Sequence, residues 1–293
     1  MVTNTVLGVF LMINKNAILV EQQNLTYVSS LEPFIYTDLL AEYAGNELVS
    51  FFHFWNMTNQ VILGMKDTRV TFLDKGIESI QAENYNVVVR NSGGLAVVAD
   101  EGILNFSIII PQPKEKYSFT IDDGYSLMKV IIEKALSDFN SQIDAFEVTD
   151  SYCPGDFDLS INGKKFAGIS QRRIKKGIGI MIYLSVDGNQ DKRGKMVRNF
   201  YKEGLEGQFG KDGFPPVNPN SMANLSDLLQ TKMTIDEMKN RIIHVLNDDY
   251  FFDKSIKDKF DIYQNSNEFK ENYDKQEIRM IQRNDIIHWS ETV

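Results

Sequence analysis

The chain has 293 residues, 43% hydrophobic and 24% charged, an ordinary globular composition with ample apolar material for a core. A net charge of −9 argues against nucleic acid as a partner, and a single cysteine excludes an intramolecular disulfide and a cysteine-rich zinc site. His53, His244 and His288 are scattered without metal-ligand spacing and read as structural, and one cysteine in such a chain fits a reducing cytoplasm.

Residues 6–13 form an apolar run interrupted by Gly8. It falls well short of the ~20 residues that span a bilayer, and no basic residue precedes it. It reads as a short strand or extension rather than an export signal or membrane anchor, so residues 1–30 are taken as an N-terminal extension. Pro33 and Thr37-Asp38 lead into Leu39, Leu40 and Tyr43, a short helix expected to stop at Gly45. Residues 51–55 and 60–64 read as strands, and 74–84 as a helix with Ile77 and Ile80 on one face. Val87, Val88 and Val89 make a β-branched strand. Asn91-Ser92-Gly93-Gly94 then gives a glycine turn, and residues 95–98 another strand. As a phosphate loop this turn is weak, since no Lys-Ser/Thr follows and a strand comes next.

Residues 105–110 form a further strand closed by Pro111. Asp122 or Asp123 is expected to cap a helix whose Tyr125, Met128, Ile132, Ala135 and Phe139 recur at spacings of three and four. After a Lys175-Lys176-Gly177 turn, Ile178, Ile180, Ile182, Leu184 and Val186 alternate as a strand. From Lys192 the pattern is helical, with Met196, Val197, Phe200 and Tyr201 on one face. Residues 213–219, rich in proline, are the best border between a domain over 31–212 and a helical C-terminal part over 213–293 packed on it. Thr234 and Glu237 spell a capping box ahead of Met238, Ile242, Val245 and Leu246. The tail from Asp253 is charged, helical and peripheral. Strand pairs with interspersed helices, and no regular βαβ succession, indicate an α+β fold with a mixed, mainly antiparallel sheet flanked by helices.

The chemistry concentrates in residues 151–173. Phe157, Leu159 and Ile161 alternate with Asp158, Ser160 and Asn162, and Asn162-Gly163 is a strong type I′ hairpin signal. A two-residue loop pairs Ile161 with Lys164, Ser160 with Lys165, Leu159 with Phe166, Asp158 with Ala167 and Phe157 with Gly168. Phe157, Leu159, Ile161 and Phe166 would then face the core, and Asp158, Ser160, Lys165 and Ala167 the other side. Cys153, in a loop shaped by Pro154 and Gly155, can fold back over the lysine face. A nearby ammonium favours a thiolate and can polarise a carbonyl or protonate a leaving amine. A lone cysteine is also, more often, an inert small apolar residue. The basic run Lys164, Lys165, Arg172, Arg173, Lys175 and Lys176 either docks an acidic protein surface or is simply solvated.

Two stretches together resemble a known superfamily. Arg90-Asn91-Ser92-Gly93-Gly94-Leu95-Ala96-Val97, leading to Gly102 and Leu104-Asn105, resembles the arginine–serine–glycine motif of the biotin/lipoate protein ligase and lipoyl/octanoyl transferase superfamily. Gly163-Lys164-Lys165-Phe166-Ala167-Gly168-Ile169-Ser170-Gln171 resembles its lysine motif, and Ile62-Leu63-Gly64 a third signature. Ser151-Tyr152-Cys153-Pro154-Gly155 with RNSGGLAVV is similar to the octanoyl amidotransferases of Gram-positive bacteria. Leu95 stands where many relatives have a third glycine and Ala99 where many have histidine, which weakens a case for binding an acyl-adenylate.

The resemblance implies transfer of an octanoyl group from a lysine of the glycine cleavage system H protein to lysines of the lipoyl domains of 2-oxoacid dehydrogenase E2 subunits. Cys153 would carry the acyl group as a thioester and Lys165 would lower its pKa. It implies substrate-binding roles for Arg90, Ser92, Gly93, Gly94, Asn105, Ala167, Gly168 and Ser170. No metal or separate cofactor is implied, the octanoyl or lipoyl group being carried substrate. Small Gly93, Gly94, Ala167 and Gly168 would leave room for the chain in an apolar tunnel. Amide-to-amide exchange is nearly balanced and needs a nucleophile rather than ATP. Acyl carrier protein as donor, an ATP-dependent lipoate ligase, and a non-catalytic acyl- or carrier-binding module are the alternatives.

Overall fold

The computed structural model describes residues 14–113 and 119–288, so the apolar run at 6–13 lies outside the described residues. Among the described residues the strands are β1 (Ala17–Leu25), β2 (Ser50–Met57), β3 (Gln60–Leu63), β4 (Asn86–Val89), β5 (Val97–Ala99), β6 (Ile103–Pro111), β7 (Asp144–Ala145), β8 (Leu159–Ile161), β9 (Lys164–Ile174) and β10 (Gly177–Ser185). The helices are α1 (Glu32–Glu47), α2 (Leu73–Gln81), α3 (Ile121–Ala135), α4 (Gln190–Leu205), α5 (Leu225–Leu228), α6 (Ile235–Asp249), α7 (Lys254–Gln264) and α8 (Asn267–His288).

Seven strands form one sheet in the order β1-β2-β6-β10-β9-β8-β7, and three form a second, β4-β3-β5. β1 is parallel to β2 and β3 to β4, each pair linked through a helix, while the remaining neighbours are antiparallel. This is the expected mixed, mainly antiparallel α+β architecture. One expectation changes: residues 17–25, read as part of an extension, are the parallel edge strand of the large sheet, with Ala17 and Ile18 buried. The polar Glu21-Gln22-Gln23 in that strand masks its alternation.

Local chemistry explains the helix ends. The α1 helix runs past Gly45, whose missing side chain admits the Lys176 backbone, and ends at Leu48 in a left-handed conformation. The cap of α3 is Thr120, not Asp122 or Asp123. The Thr120 hydroxyl accepts from the Asp123 N–H, and the Asp123 carboxylate accepts from the Thr120 N–H in return. Thr234 and Glu237 make the expected box at α6.

One face of the large sheet is the main core. Phe52 and Phe54, Phe106 and Ile108, and Ile180 and Ile182 join Leu127 and Met128 of α3 and Met238 and Ile242 of α6. Residues of the opposite parity line up across β2, β6, β10 and β9 on the other face. Register places Trp55, Asn105, Tyr183 and Gly168 in one row and His53, Ser107, Met181 and Ser170 in the next. That face carries the site.

His53 is fully buried, and its Nε2 lies 2.8 Å from Gln22 Oε1. Burial pushes the imidazole down to about 3 from its ordinary 6.5. The unfolded chain therefore binds a proton that the folded chain refuses between these values. Stability falls as pH drops below 6.5, by ~1.4 kcal/mol per unit, until pH 3. Urea midpoints followed from pH 7 to pH 4 should fall less in His53→Gln than in the parent chain. Parallel pH dependences would refute this account.

Candidate active site

The hairpin forms at Asn162 and Gly163, both with positive φ. Ile161 faces Lys164 and Ser160 faces Lys165 as expected, but the register then shifts. Leu159 pairs with Ala167, not Phe166, so the ladder predicted beyond Lys165 is corrected by one residue. The extra residue is a β-bulge, which lets Phe166 and Ala167 both enter the core. Ala167 consequently lies away from the lysine face. Lys165 is pinned from the C-terminal side too: Met222 forms a parallel bridge with it, and the Ala223 N–H donates to its carbonyl at 3.0 Å.

Lys165 is 4% exposed, and its ammonium is surrounded by oxygens. It pairs with Asp158 Oδ1 at 2.9 Å and donates toward Ser151 Oγ at 3.2 Å, the Tyr152 carbonyl at 3.0 Å and the Cys153 carbonyl at 2.7 Å. Asp158 in turn accepts from the Val148 and Gly155 N–H groups, each at 3.2 Å. Burial raises the Asp158 carboxyl above its ordinary value, and the adjacent ammonium opposes this. Cys153 sits at φ 46°, a left-handed conformation that non-glycine residues adopt at a cost of roughly 1–2 kcal/mol. One cation drawing two successive carbonyls to itself holds that turn. Lys165 thus meets Cys153 at its carbonyl oxygen, not at its sulfur.

Tyr152 anchors the loop from beneath. Its hydroxyl lies 2.7 Å from the Tyr183 hydroxyl and accepts from Gln190 Nε2 at 2.9 Å. Gln190 and Ser185 tie into Arg193, which is buried, donates to Asp100 Oδ1 at 2.7 Å and binds the Glu101 and Asp187 carbonyls. Desolvation raises both tyrosines, so they stay neutral phenols.

The sulfur itself faces the glycine loop. Strands β4 and β5 flank β3, so residues 91–96 must arch over the end of β3. Gly64, just past β3, permits this: a Cβ there would lie 1.9 Å from the Gly94 carbonyl oxygen. Gly94 has φ +96°, and a Cβ on it would lie 2.4 Å from Arg90 Nη2 and 2.9 Å from Cys153 Sγ. The Leu95 N–H donates to Sγ at 3.0 Å, and Arg90 Nη2 approaches Sγ at 3.7 Å. Arg90 is locked by donating to the Gly93 carbonyl at 3.0 Å and the Leu95 carbonyl at 2.6 Å.

Half-buried Cys153 opens onto a cavity of about 460 Å3, within the ~300–1,000 Å3 of ligand pockets. Arg90, Ser92, Gly93, Gly94, Asn105, Lys165, Gly168 and Ser170 all line it, and Ala167 alone of the candidate residues does not. Sequence reasoning missed Phe34, Thr37, Trp55, Ser107, Met181 and Tyr183 in its walls. The signal for Ser107, Met181 and Tyr183 was strand parity, legible only with the register known. Trp55 Nε1, Asn105 Nδ2, Ser107 Oγ and the Gln171 amide have no protein hydrogen-bond partner, so the mixed lining of the cavity offers several open polar points. The basic run is dispersed rather than a patch: Lys165 is buried, Arg172 binds Asp38 at 2.8 and 3.0 Å, Arg173 binds the Phe119 carbonyl and Lys175 pairs with Glu42.

The lipoyl protein ligase A/B catalytic domain family matches residues 31–247. The chain is 45% identical over 192 residues to an octanoyl-[GcvH]:protein N-octanoyltransferase of Oceanobacillus iheyensis, covering 66% of this chain and 68% of that one. It is 42% identical over 218 residues to a lipoyl-[GcvH]:protein N-lipoyltransferase of Listeria monocytogenes, covering 74% and 78%. Among solved structures, a lipoate-protein ligase A bound with ATP superposes with a TM-score of 0.61 at 17% identity, over 82% of this chain and 89% of that one, a likeness of fold. By sequence, fold and the pairing of its glycine and lysine motifs, the chain belongs to the octanoyl-[GcvH]:protein N-octanoyltransferases, within the lipoyl protein ligase A/B catalytic domain family.

Proposed function

We infer that the chain transfers an octanoyl or lipoyl group from GcvH to the lysines of lipoyl-accepting proteins, through an acyl thioester on Cys153. The acceptors are the lipoyl domains of 2-oxoacid dehydrogenase E2 subunits, and the reaction takes place in the cytoplasm. The observation that carries this reading is a half-buried cysteine in a left-handed turn, its sulfur held by an N–H and a guanidinium at the wall of a cavity of mixed lining. Strained backbone of this kind persists where the surroundings over-determine it, as Lys165 and Asp158 do here. Among the described residues no helix is long and apolar enough to cross a membrane.

The sulfur attacks the acyl carbon of the donor amide, a C–S bond forms and the C–N bond breaks. The thiol proton ends on the departing lysine amine. The acceptor amine then forms a C–N bond, loses a proton and expels the sulfur. Both ends are lysine amides, so no external energy source enters. Lys165 acts as a positioning residue, since its N–H bonds are committed to Asp158 and to loop oxygens. The C-terminal residues 213–293 belong to the same catalytic unit, a view supported by the Met222 and Ala223 contacts to Lys165.

Octanoylated GcvH incubated with the protein should add the mass of one octanoyl group, discharged by hydroxylamine. An apo lipoyl domain should then accept that group without ATP. Octanoylated acyl carrier protein, or free octanoate with ATP, should give little or no transfer in its place. Equal or better transfer from either substitute would overturn the assignment of the donor.

A further inference from the structure

We propose that the Leu95 N–H and the Arg90 guanidinium form the oxyanion site of this transfer, with Gly94 as the gap through which they reach the reacting atoms. The proposal rests on the reading that Cys153 carries the acyl group. It goes further by naming what stabilises the negative oxygen at each step, a role no sequence motif assigns.

The geometry begins with the two donors on the sulfur. The Leu95 N–H is 3.0 Å from Sγ and Arg90 Nη2 is 3.7 Å away, converging from the glycine-loop side. When an acyl carbon bonds to Sγ, its oxygen lies two bonds from that sulfur. Donors already grouped around Sγ are then within reach of the oxygen. In the thioester the sulfur is a poorer acceptor, so the Leu95 N–H is released to the oxygen beside it. Oxyanion donors act when they lie ~2.7–3.1 Å from the charged oxygen and need not reorganise to reach it.

Preorganisation is visible in how Arg90 is held. The residue is 8% exposed, its Nε donates to the Gly93 carbonyl, and one Nη2 hydrogen goes to the Leu95 carbonyl, leaving the other for the site. Its guanidinium therefore fixes the loop that presents the Leu95 N–H. Gly94 lies between them, and any side chain would strike both Nη2 and Sγ. The donor at position 95 is backbone, so leucine serves there as well as glycine would. The departure from the triple-glycine pattern leaves this donor intact.

In acylation the sulfur forms a bond to the carbonyl carbon and the π electron pair moves onto oxygen, where the two donors meet it. The pair returns as the C–N bond breaks. Discharge runs the same sequence with the acceptor amine entering and the sulfur leaving. Both half-reactions pass through the same charged oxygen, so loss of a donor must slow both.

The test compares the full-length parent, Arg90→Gln and Arg90→Lys in two reactions of Cys153. One is single-turnover octanoyl transfer from octanoylated GcvH and discharge to an apo lipoyl domain, followed by intact mass. The other is alkylation by iodoacetamide, a displacement at saturated carbon in which no carbonyl oxygen gains charge. Arg90→Gln should slow acylation and discharge by about 10²–10³-fold while alkylation, compared at a pH high enough to ionise the thiol fully in every variant so that the cation's effect on thiolate population drops out, stays within roughly threefold, and Arg90→Lys should recover part of the loss. Parallel loss of alkylation and transfer, or unchanged transfer, would overturn the proposal. A measurement on the parent needs no variant: the thioester carbonyl stretch of the acyl-enzyme, isolated by a ¹³C label, should fall below that of a free octanoyl thioester. An unshifted band would also overturn it. A parent protein that never gains octanoyl mass would instead sink the acyl-enzyme reading itself, and this inference with it.

Discussion

Cys153→Ala should abolish transfer, by roughly four orders of magnitude or more, while leaving the fold nearly as stable as before. The chemistry requires the first effect. A lysine amide resists direct attack by another lysine, and on the proposed route the thioester divides the exchange into two more accessible steps. The geometry requires the second. Sγ accepts from the Leu95 N–H and faces Arg90, and its removal leaves those donors beside an open cavity rather than sealed in a core. A lost neutral hydrogen bond of this kind costs about 0.5–1.5 kcal/mol. Cys153→Ser should be as inactive as the alanine variant. An alcohol needs a base to activate it, and the groups at the sulfur are an amide N–H and a guanidinium, both donors. Intact mass and transfer assays on both variants, with melting curves, check this. Substantial transfer by Cys153→Ala would remove the thioester from the mechanism.

Lys165→Met should lose both stability and activity, and the two losses should separate in a second variant. The ammonium lies between Asp158 and three loop oxygens, with both charged side chains almost wholly buried. Removing one member of such a pair strands the other and costs about 3–5 kcal/mol. It also frees the Tyr152 and Cys153 carbonyls, so the left-handed turn at Cys153 relaxes and the sulfur leaves its donors. Transfer should fall at least a hundredfold, since a displacement of about an ångström at a reacting group has that effect. Replacing Asp158 with Leu as well removes the stranded carboxyl and should restore part of the stability, the remainder being lost because the Val148 and Gly155 N–H groups no longer have its carboxylate as acceptor. Activity should stay low, because the carbonyls still lack their cation. Urea denaturation and single-turnover transfer measured on the same preparations decide the matter. If Lys165→Met kept full stability and lost only the rate, the lysine would be acting in proton transfer and not in positioning.

The sequence carried much of this site. A period-2 run ending at Asn162-Gly163 determines a hairpin, because those residues take positive φ readily. That hairpin brings Lys165 toward a loop starting at Cys153, and alternation alone delivers the first two rungs of the ladder. The 3.6-residue stripes of α3, α4 and α6 likewise decide which faces are buried, since local periodicity and core burial agree there. Motifs that keep their order and separation were enough to reach the family. Periodicity failed where long-range packing overrode it. The bulge at Phe166 and Ala167 lets both side chains enter a core assembled from residues far away in sequence, and no local pattern encodes that demand. The edge strand β1 was hidden for a related reason, its pairing with β2 being a contact between residues more than thirty apart.

What the sequence by itself determined is the inventory: one thiol, one lysine beyond a turn, a glycine pair after an arginine, and strands of known parity to hold them. Only the tertiary structure decided who touches whom. It set the lysine on the cysteine's carbonyl and the arginine and Leu95 N–H on its sulfur, because three strands of the small sheet force the glycine loop across the end of β3. Directional contacts between side chains depend on backbone paths meeting at a point, and those paths are set by the packing of two sheets and several helices together.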